Sequence, residues 1–328
     1  MNNSTRISRR QFAAIGAAGL AATALPRAFA QAAGDFPNKP IELIVPFQAG
    51  GGTDALARAF ADAGRKFLPQ SIVVNNKPGA SGAIGWSDVI NAKPDGYKLA
   101  VVTVELVTLP PLGLAKFTYE DMAPVARLNA DPAAITVRAE APWNTVEEFL
   151  AAAKAKEVQV GNAGNGSIWH LASAALQEKT GAKIAHIPFQ GAAPAVLALM
   201  GGHIDAVTVS PAEVTTYVQG GKLKTLAVMA DQRTKGAFEK VPTLKERGVD
   251  LSIGTWRGIA APKNTPPQVL AVLRTAAGNI AKEPALREVL DKQNLGYAYL
   301  DAADFHTAMA KDATAFRQLI EKLGIKTS

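Results

Sequence analysis

Hydrophobic and polar positions along this chain alternate between two periods. Short apolar runs that suit strands buried on both faces lie at Ile41 to Phe47, Ser71 to Asn75 and Lys98 to Val104. Helical patterning follows the first of them through Arg58 and returns at Ala83 to Asn91. Pro78-Gly79 and Pro94-Asp95-Gly96 supply the turns between, and Pro110-Pro111 breaks the series. A further strand, Ala134 to Val137, precedes the helix start Asn144-Thr145 and a helix over Val146 to Lys154.

A second series then begins. Strands are expected at Gln159 to Gly161, Ala185 to Ile187, Ala206 to Val209 and Thr225 to Met229, with helices at Ile168 to Lys179 and Ala193 to Met200. Pro242 to Gly248 reads as a turn and short helix. The C-terminal part reads as mostly helical, at Pro267 to Ile280, Pro284 to Gln293 and Ala302 to Leu323, with no long strand partner. Strands alternating with helices predict an α/β fold built on a largely parallel sheet.

Two stretches depart from this plain alternation. In IELIVPFQAGGGTDALAR, Ile41 to Arg58, a buried strand runs into Gly50, Gly51 and Gly52 and then a helix that Thr53 is placed to cap. In Val158 to Leu176 the same order recurs, with Gly161, Gly164 and Gly166 in the loop and Ser167 as the cap. The first N–H groups of a helix lack partners inside it and carry the positive end of its dipole, so an anion suits each place. One such loop reads equally well as a tight turn or as a site; the recurrence favours a site in which two helix ends face one small molecule.

Composition changes the picture mainly at the N-terminus. Ser8-Arg9-Arg10-Gln11-Phe12 has the form of a twin-arginine core, Ala13 to Leu25 is a short apolar run of small residues, and Ala28-Phe29-Ala30 predicts cleavage before Gln31. The run is short of the ~20 residues that span a bilayer, so export to the periplasm is expected rather than anchoring. Losing Arg6, Arg9, Arg10 and Arg27 with no acidic residue takes the net charge from +7 to +3, which removes the argument for a nucleic-acid partner. With no cysteine, disulfides, thiolate chemistry and cysteine-ligated metals are excluded, and the hydrophobic 48% of the chain must hold the fold.

Catalytic patterns are sparse. Gly50-Gly51-Gly52-Thr53-Asp54-Ala55 satisfies the spacing of a dinucleotide fingerprint, but the next strand ends in Asn75-Asn76 where an acidic residue is required. Neither loop has the Gly-Lys-Ser/Thr of a phosphate loop. His170, His186, His203 and His306 show no metal spacing, and no serine elbow is present. His170, in the first helical turn, reads either as a turn hydrogen bond or as a neutral donor to a ligand. Asp54 complements the helix dipole and pairs with Arg58 one turn on. Glu105, after an apolar strand, is either a solvated loop carboxylate or a ligand-facing one, because open α/β sheets bind ligands beyond their strand ends. Trp86, Trp143 and Trp256 read as packing; Trp169 adjoins the second glycine loop.

From Pro37 onward the chain resembles the Bug-type extracytoplasmic solute receptors of tripartite tricarboxylate transporters. The resemblance rests on IELIVPFQAGGGTDALAR, VVNNKPGASGAIG (Val73 to Gly85), KPDGYKL (Lys93 to Leu99), GNAGNGSIWHLA (Gly161 to Ala172) and HIPFQGAAPAVLALMGGHIDA (His186 to Ala206). GGKLKTLAV (Gly220 to Val228), VPTLKERG (Val241 to Gly248) and WRGIAAPKNTP (Trp256 to Pro266) continue it in the same order. It implies a two-domain periplasmic-binding fold of type II form, a ligand cleft between the domains, and no chemistry, cofactor or metal.

The resemblance also implies that the glycine loops hold a carboxylate through backbone N–H groups, hydroxyls and water. The positions carried over are Phe47, Gln48, Ala49, Gly50, Gly51, Gly52, Thr53 and Asp54; Ala163, Gly164, Asn165, Gly166, Ser167 and His170; and a third loop, Phe189, Gln190, Gly191 and Ala192. Thr103, Glu105 and Ser210 join them from strand ends. Gln48 stands where Pro or Ala is usual; Gln190, where Lys is common, and Glu105, where a small residue is expected, move the cleft toward negative charge. The expected ligand is therefore a small organic acid, or a related zwitterion or heterocycle, delivered by a monomer to membrane permease subunits. An exported α/β enzyme with a cofactor, or a receptor for signalling, is the other reading. Chain order places residues 31–132 and 255–328 in one domain and 133–254 in the other.

Overall fold

The apolar run after Pro40 forms β1 (Ile41–Val45), and only Glu42 of its five residues is not buried. This computed structural model describes residues 36–325; the twin-arginine core and the cleavage site before Gln31 lie outside the described residues. Strand β1 pairs in parallel with β2 (Ile72–Asn76) on one side and β3 (Lys98–Thr103) on the other. Between them come α1 (Gly52–Gly64) and α2 (Ala83–Ile90), and β3 runs into a single-turn helix, α3 (Glu105–Thr108).

The next strand is far longer than its sequence suggests. β4 (Met122–Arg138) is one run of 17 residues containing Pro124 and Pro132. Its first part, up to Pro132, lies antiparallel to β9 (Gly254–Pro262), with register shifts at Pro124/Ala126 and Arg127/Asn129. From Ala133 it leaves that sheet and pairs antiparallel with β7 (Ala206–Val209) and β8 (Leu223–Met229) in a second one. The two prolines sit where the absence of an N–H is tolerated, at the start of the strand and at the change of sheet.

The second sheet repeats the first. α4 (Val146–Ala155) starts at the expected Thr145 with a capping box, Thr145 accepting from the Glu148 N–H and Glu148 from the Thr145 N–H. β5 (Val158–Asn162) pairs in parallel with β6 (Ile184–Pro188) and β7, and α5 (Ile168–Thr180), α6 (Ala192–Met200) and α7 (Pro211–Gln219) follow β5, β6 and β7. The chain then returns through β9, α8 (Pro267–Lys282), α9 (Pro284–Lys292), β10 (Tyr297–Leu300) and α10 (Ala302–Leu323) to the first sheet, where β10 pairs with β4.

The sheets and the segment before the C-terminal helices differ from what the sequence predicts. The sheets are not largely parallel: parallel strands form one flank of each, but β9 joins β3 and β4 antiparallel at the centre. Nor is β9 among the expected strands, although eight of its nine residues are buried. Its composition conceals it. Gly258 is required because a Cβ there would stand 2.4 Å from the Phe305 ring and 2.6 Å from the Ala126 carbonyl oxygen, so α10 packs directly on the backbone.

Candidate functional site

The C-terminal ends of β1, β3, β5, β6 and β7 all open toward the seam between the two sheets, which puts three helix N-termini and two carboxylates around one cavity. Phe47, Gln48, Gly51, Thr53, Thr103, Glu105, Ala163, Trp169, Ala192, Ala193, Glu213, Thr255 and Arg257 line it. Eight of the sequence-derived candidates are in that lining: Phe47, Gln48, Gly51, Thr53, Thr103, Glu105, Ala163 and Ala192.

Asp54 shapes the first loop. Its Oδ2 accepts from the Gly50 N–H (3.0 Å) and from Arg58 Nε (3.0 Å), and its Oδ1 accepts from Asn76 Nδ2 (3.0 Å). Asn76 donates also to the Phe47 carbonyl (3.0 Å), so the end of β2 fastens both ends of the loop. Burial pushes the Asp54 carboxyl up, but the bonds from Arg58, Gly50 and Asn76 outweigh it and hold the group below the ordinary range. The dipole complement read from sequence is thus only part of its role. Ala49 and Gly50 are exposed at the mouth. Thr53 does not cap α1: Gly51 is the N-cap, with no side-chain bond, and Thr53 Oγ1 accepts from Arg257 Nε (2.9 Å).

The second loop is held in the same manner by different chemistry. Gly166 donates its N–H to His170 Nδ1 (3.1 Å), Gly164 donates to Asn162 Oδ1 (2.9 Å), and Ser167 caps α5 by accepting from the His170 N–H (3.3 Å). The His170 ring therefore does not face the cavity; it packs edge-on against His186, with centroids 4.9 Å apart, in a separate surface cleft. Burial, with the neighbouring His186, lowers its pKa to about 4, so it is neutral. From the opposite side Ser81 donates to the Asn165 carbonyl (2.7 Å) and Thr108 to that of Gly166 (3.3 Å).

Gly191 adopts φ +133 and ψ 171, a backbone state essentially confined to glycine, and this turns the start of α6 toward Gln48, whose backbone nitrogen lies 3.7 Å from where a Gly191 Cβ would be. Phe189 donates its N–H to the Asn162 carbonyl (3.1 Å), while Gln190 is exposed on the rim. Helix α6 has no side-chain cap. Ser210, the N-cap of α7, is buried with its hydroxyl unpartnered.

The other two helix ends are occupied from within. Glu213 Oε2 accepts from the Gly52 N–H (2.8 Å) at α1, and its Oε1 accepts from Arg257 Nη2 (3.1 Å). Glu105 Oε1 accepts from the Ile168 N–H (2.9 Å) at α5, and Thr103 Oγ1 donates to its Oε2. The Glu105 residue is 2% exposed, which overturns its reading as a solvated loop group. Arg257, also 2% exposed, completes the cluster by donating to Asp131, whose other oxygen takes the Gly296 N–H (2.7 Å). Burial raises the Glu105 and Glu213 carboxyls above the usual range, against the pull of Arg257.

Glu213, Arg257, Thr255 and Ala193 had no place among the sequence candidates. An arginine inside the apolar run TWRGIAA was the available sign, since a charge so placed needs buried counterions.

Residues 56–325 match the model of the tripartite tricarboxylate transporter family receptors. The chain belongs to that family and is a solute-binding protein. Among solved structures, this receptor is 63% identical to a solute-binding protein of the same family from Polaromonas, described as having no ligand, over 88% of this chain and 99% of that one, with a TM-score of 0.66. The periplasmic binding protein BugD is 29% identical, over 89% and 100% of the two chains, with a TM-score of 0.85. MatC from Rhodopseudomonas palustris, with bound malate, is 26% identical over 87% and 100%, with a TM-score of 0.81. These relatives are periplasmic binding proteins of two-domain form, and the receptor shares that fold. Among its described residues no helix is long and apolar enough to cross a membrane.

Proposed function

We propose that this receptor captures a small organic acid in the cavity between its sheets and delivers it to the membrane permease subunits of a tripartite transporter, without catalysing a reaction. The carrying observation is the convergence of three strand, loop and helix units on one cavity, with the α6 amides left uncapped beside it. Malate in MatC agrees with an acid as the solute class. Each charge-assisted hydrogen bond contributes about 1.5 to 3 kcal/mol, so a few of them, less the ordering cost, give micromolar binding. The test is a thermal melt of the mature protein with mono-, di- and tricarboxylates at millimolar concentration. A rise in melting temperature with one class is expected by linkage, and no rise with any of them would count against an acid ligand.

In the same proposal the twin-arginine segment exports the chain, cleavage before Gln31 releases a periplasmic monomer, and residues 31–132 with 255–328 close on residues 133–254. Only two crossings, at Pro132/Ala133 and Ile253/Gly254, separate the pairings of the two sheets, which is the form of a hinge. The lower TM-score at the higher identity is what a rigid-body difference between two lobes produces. Solution scattering should give a smaller radius of gyration with saturating ligand; an unchanged profile would contradict closure.

A further inference from the structure

The cavity is richer in acceptors than an anion site should be. Glu105 and Glu213 both line it; their oxygens receive Ile168 N–H, Thr103 Oγ1, Gly52 N–H and Arg257 Nη2, and the Glu105 carboxylate takes its own backbone N–H as well. A carboxylate oxygen has two lone pairs, so the two groups together retain capacity for further donors. Among the lining residues Arg257 is the single cation, and its guanidinium already serves Thr53, Asp131 and Glu213. Glu105, Glu213 and Asp131 against Arg257 leave a formal charge of −2 around the space when all are ionised.

The anion-suited helix ends are not equivalent. At α1 and α5 the first amides are spent on Glu213 and Glu105, whereas α6, nine residues long, has no side-chain cap and brings Ala192 and Ala193 to the same wall. The lining of this one cavity thus combines amides that suit an anion with two carboxylates that suit a cation.

We propose that the solute is a zwitterion, its carboxylate on the N-terminus of α6 and its protonated nitrogen against Glu105 and Glu213. The assignment rests on the reading of this cavity as the solute site and adds the charge class of the solute. A dicarboxylate of equal length would bring its second negative group to the two glutamates and be rejected by like charge.

Calorimetric titration of the mature wild-type protein with matched series tests this: α,ω-dicarboxylates, the ω-amino acids of the same lengths, and the corresponding monocarboxylates. The best amino acid should bind at least about tenfold more tightly than its dicarboxylate. Glu105→Gln and Glu213→Gln, isosteric and checked for folding by melting, should each weaken the amino acid and bring the pair to within about threefold. Since the wild-type comparison decides alone, an unfolded variant leaves the test intact. A dicarboxylate bound as tightly as the amino acid overturns the zwitterion and leaves the acid receptor standing. Failure of every carboxylate to bind overturns both.

Discussion

The two glycine loops are fastened by the same device with opposite chemistry. In each, a side chain in the first helical turns accepts the N–H of a loop glycine four residues back, Asp54 for Gly50 and His170 for Gly166. Asp54 is a carboxylate held ionised by Arg58 and Asn76 and works only when deprotonated. His170 is an imidazole kept neutral by burial and works only when uncharged. One scaffold therefore has two different tolerances to acid, and backbone geometry alone does not show which loop gives way first.

Removing Asp54 should have the largest effect. Asp54→Ala takes the shared acceptor from Gly50, Arg58 and Asn76 and should cost about 3 kcal/mol by denaturant titration. A loss within about 0.5 kcal/mol would mean that the first loop holds its shape without the pin.

Acid sharpens the contrast. The His170 pKa is depressed from 6.5 to about 4, so its contribution is present above pH 6.5 and is lost as pH falls toward 4. At its partial burial this amounts to about 2 kcal/mol. The Asp54 contribution, from a carboxyl held below 3.8, is lost only as pH falls through that lower value. In an NMR titration from neutral pH, the Gly166 amide should move before that of Gly50, and His170→Gln, which keeps an acceptor, should remove the earlier step. Both amides moving together would break the comparison.

The smallest effect concerns the caps. Ser167→Ala removes the side-chain cap of α5 and should cost about 1 kcal/mol. Thr53→Ala, at a helix with no side-chain cap, should act instead through the hydrogen bond to Arg257.

What the sequence made legible follows the same line. The strand, loop and helix units at Ile41 to Arg58 and Val158 to Leu176 are local, so glycine spacing and apolar runs report them directly. β9 escaped because Gly254, Gly258, Ala260 and Ala261 are poor strand signals, and the sheet supplies what the segment lacks. Glu213 and Arg257 escaped for another reason. Their partners Gly52 and Asp131 lie 161 and 126 positions away, and no local pattern announces a contact at that distance. The helix-end argument leads to the cavity but misses what fills its helix ends, since Glu105 and Glu213 take two of the places it reserved for a ligand.

The central claim is that three loops from two sheets hold one solute. Hydrogen exchange of the mature protein, with and without the tightest carboxylate from the binding series, tests it most directly. The account predicts added protection at amides of all three segments, 47–53, 163–168 and 190–193, whereas protection confined to one segment, or absent from all three under saturating ligand, would contradict it.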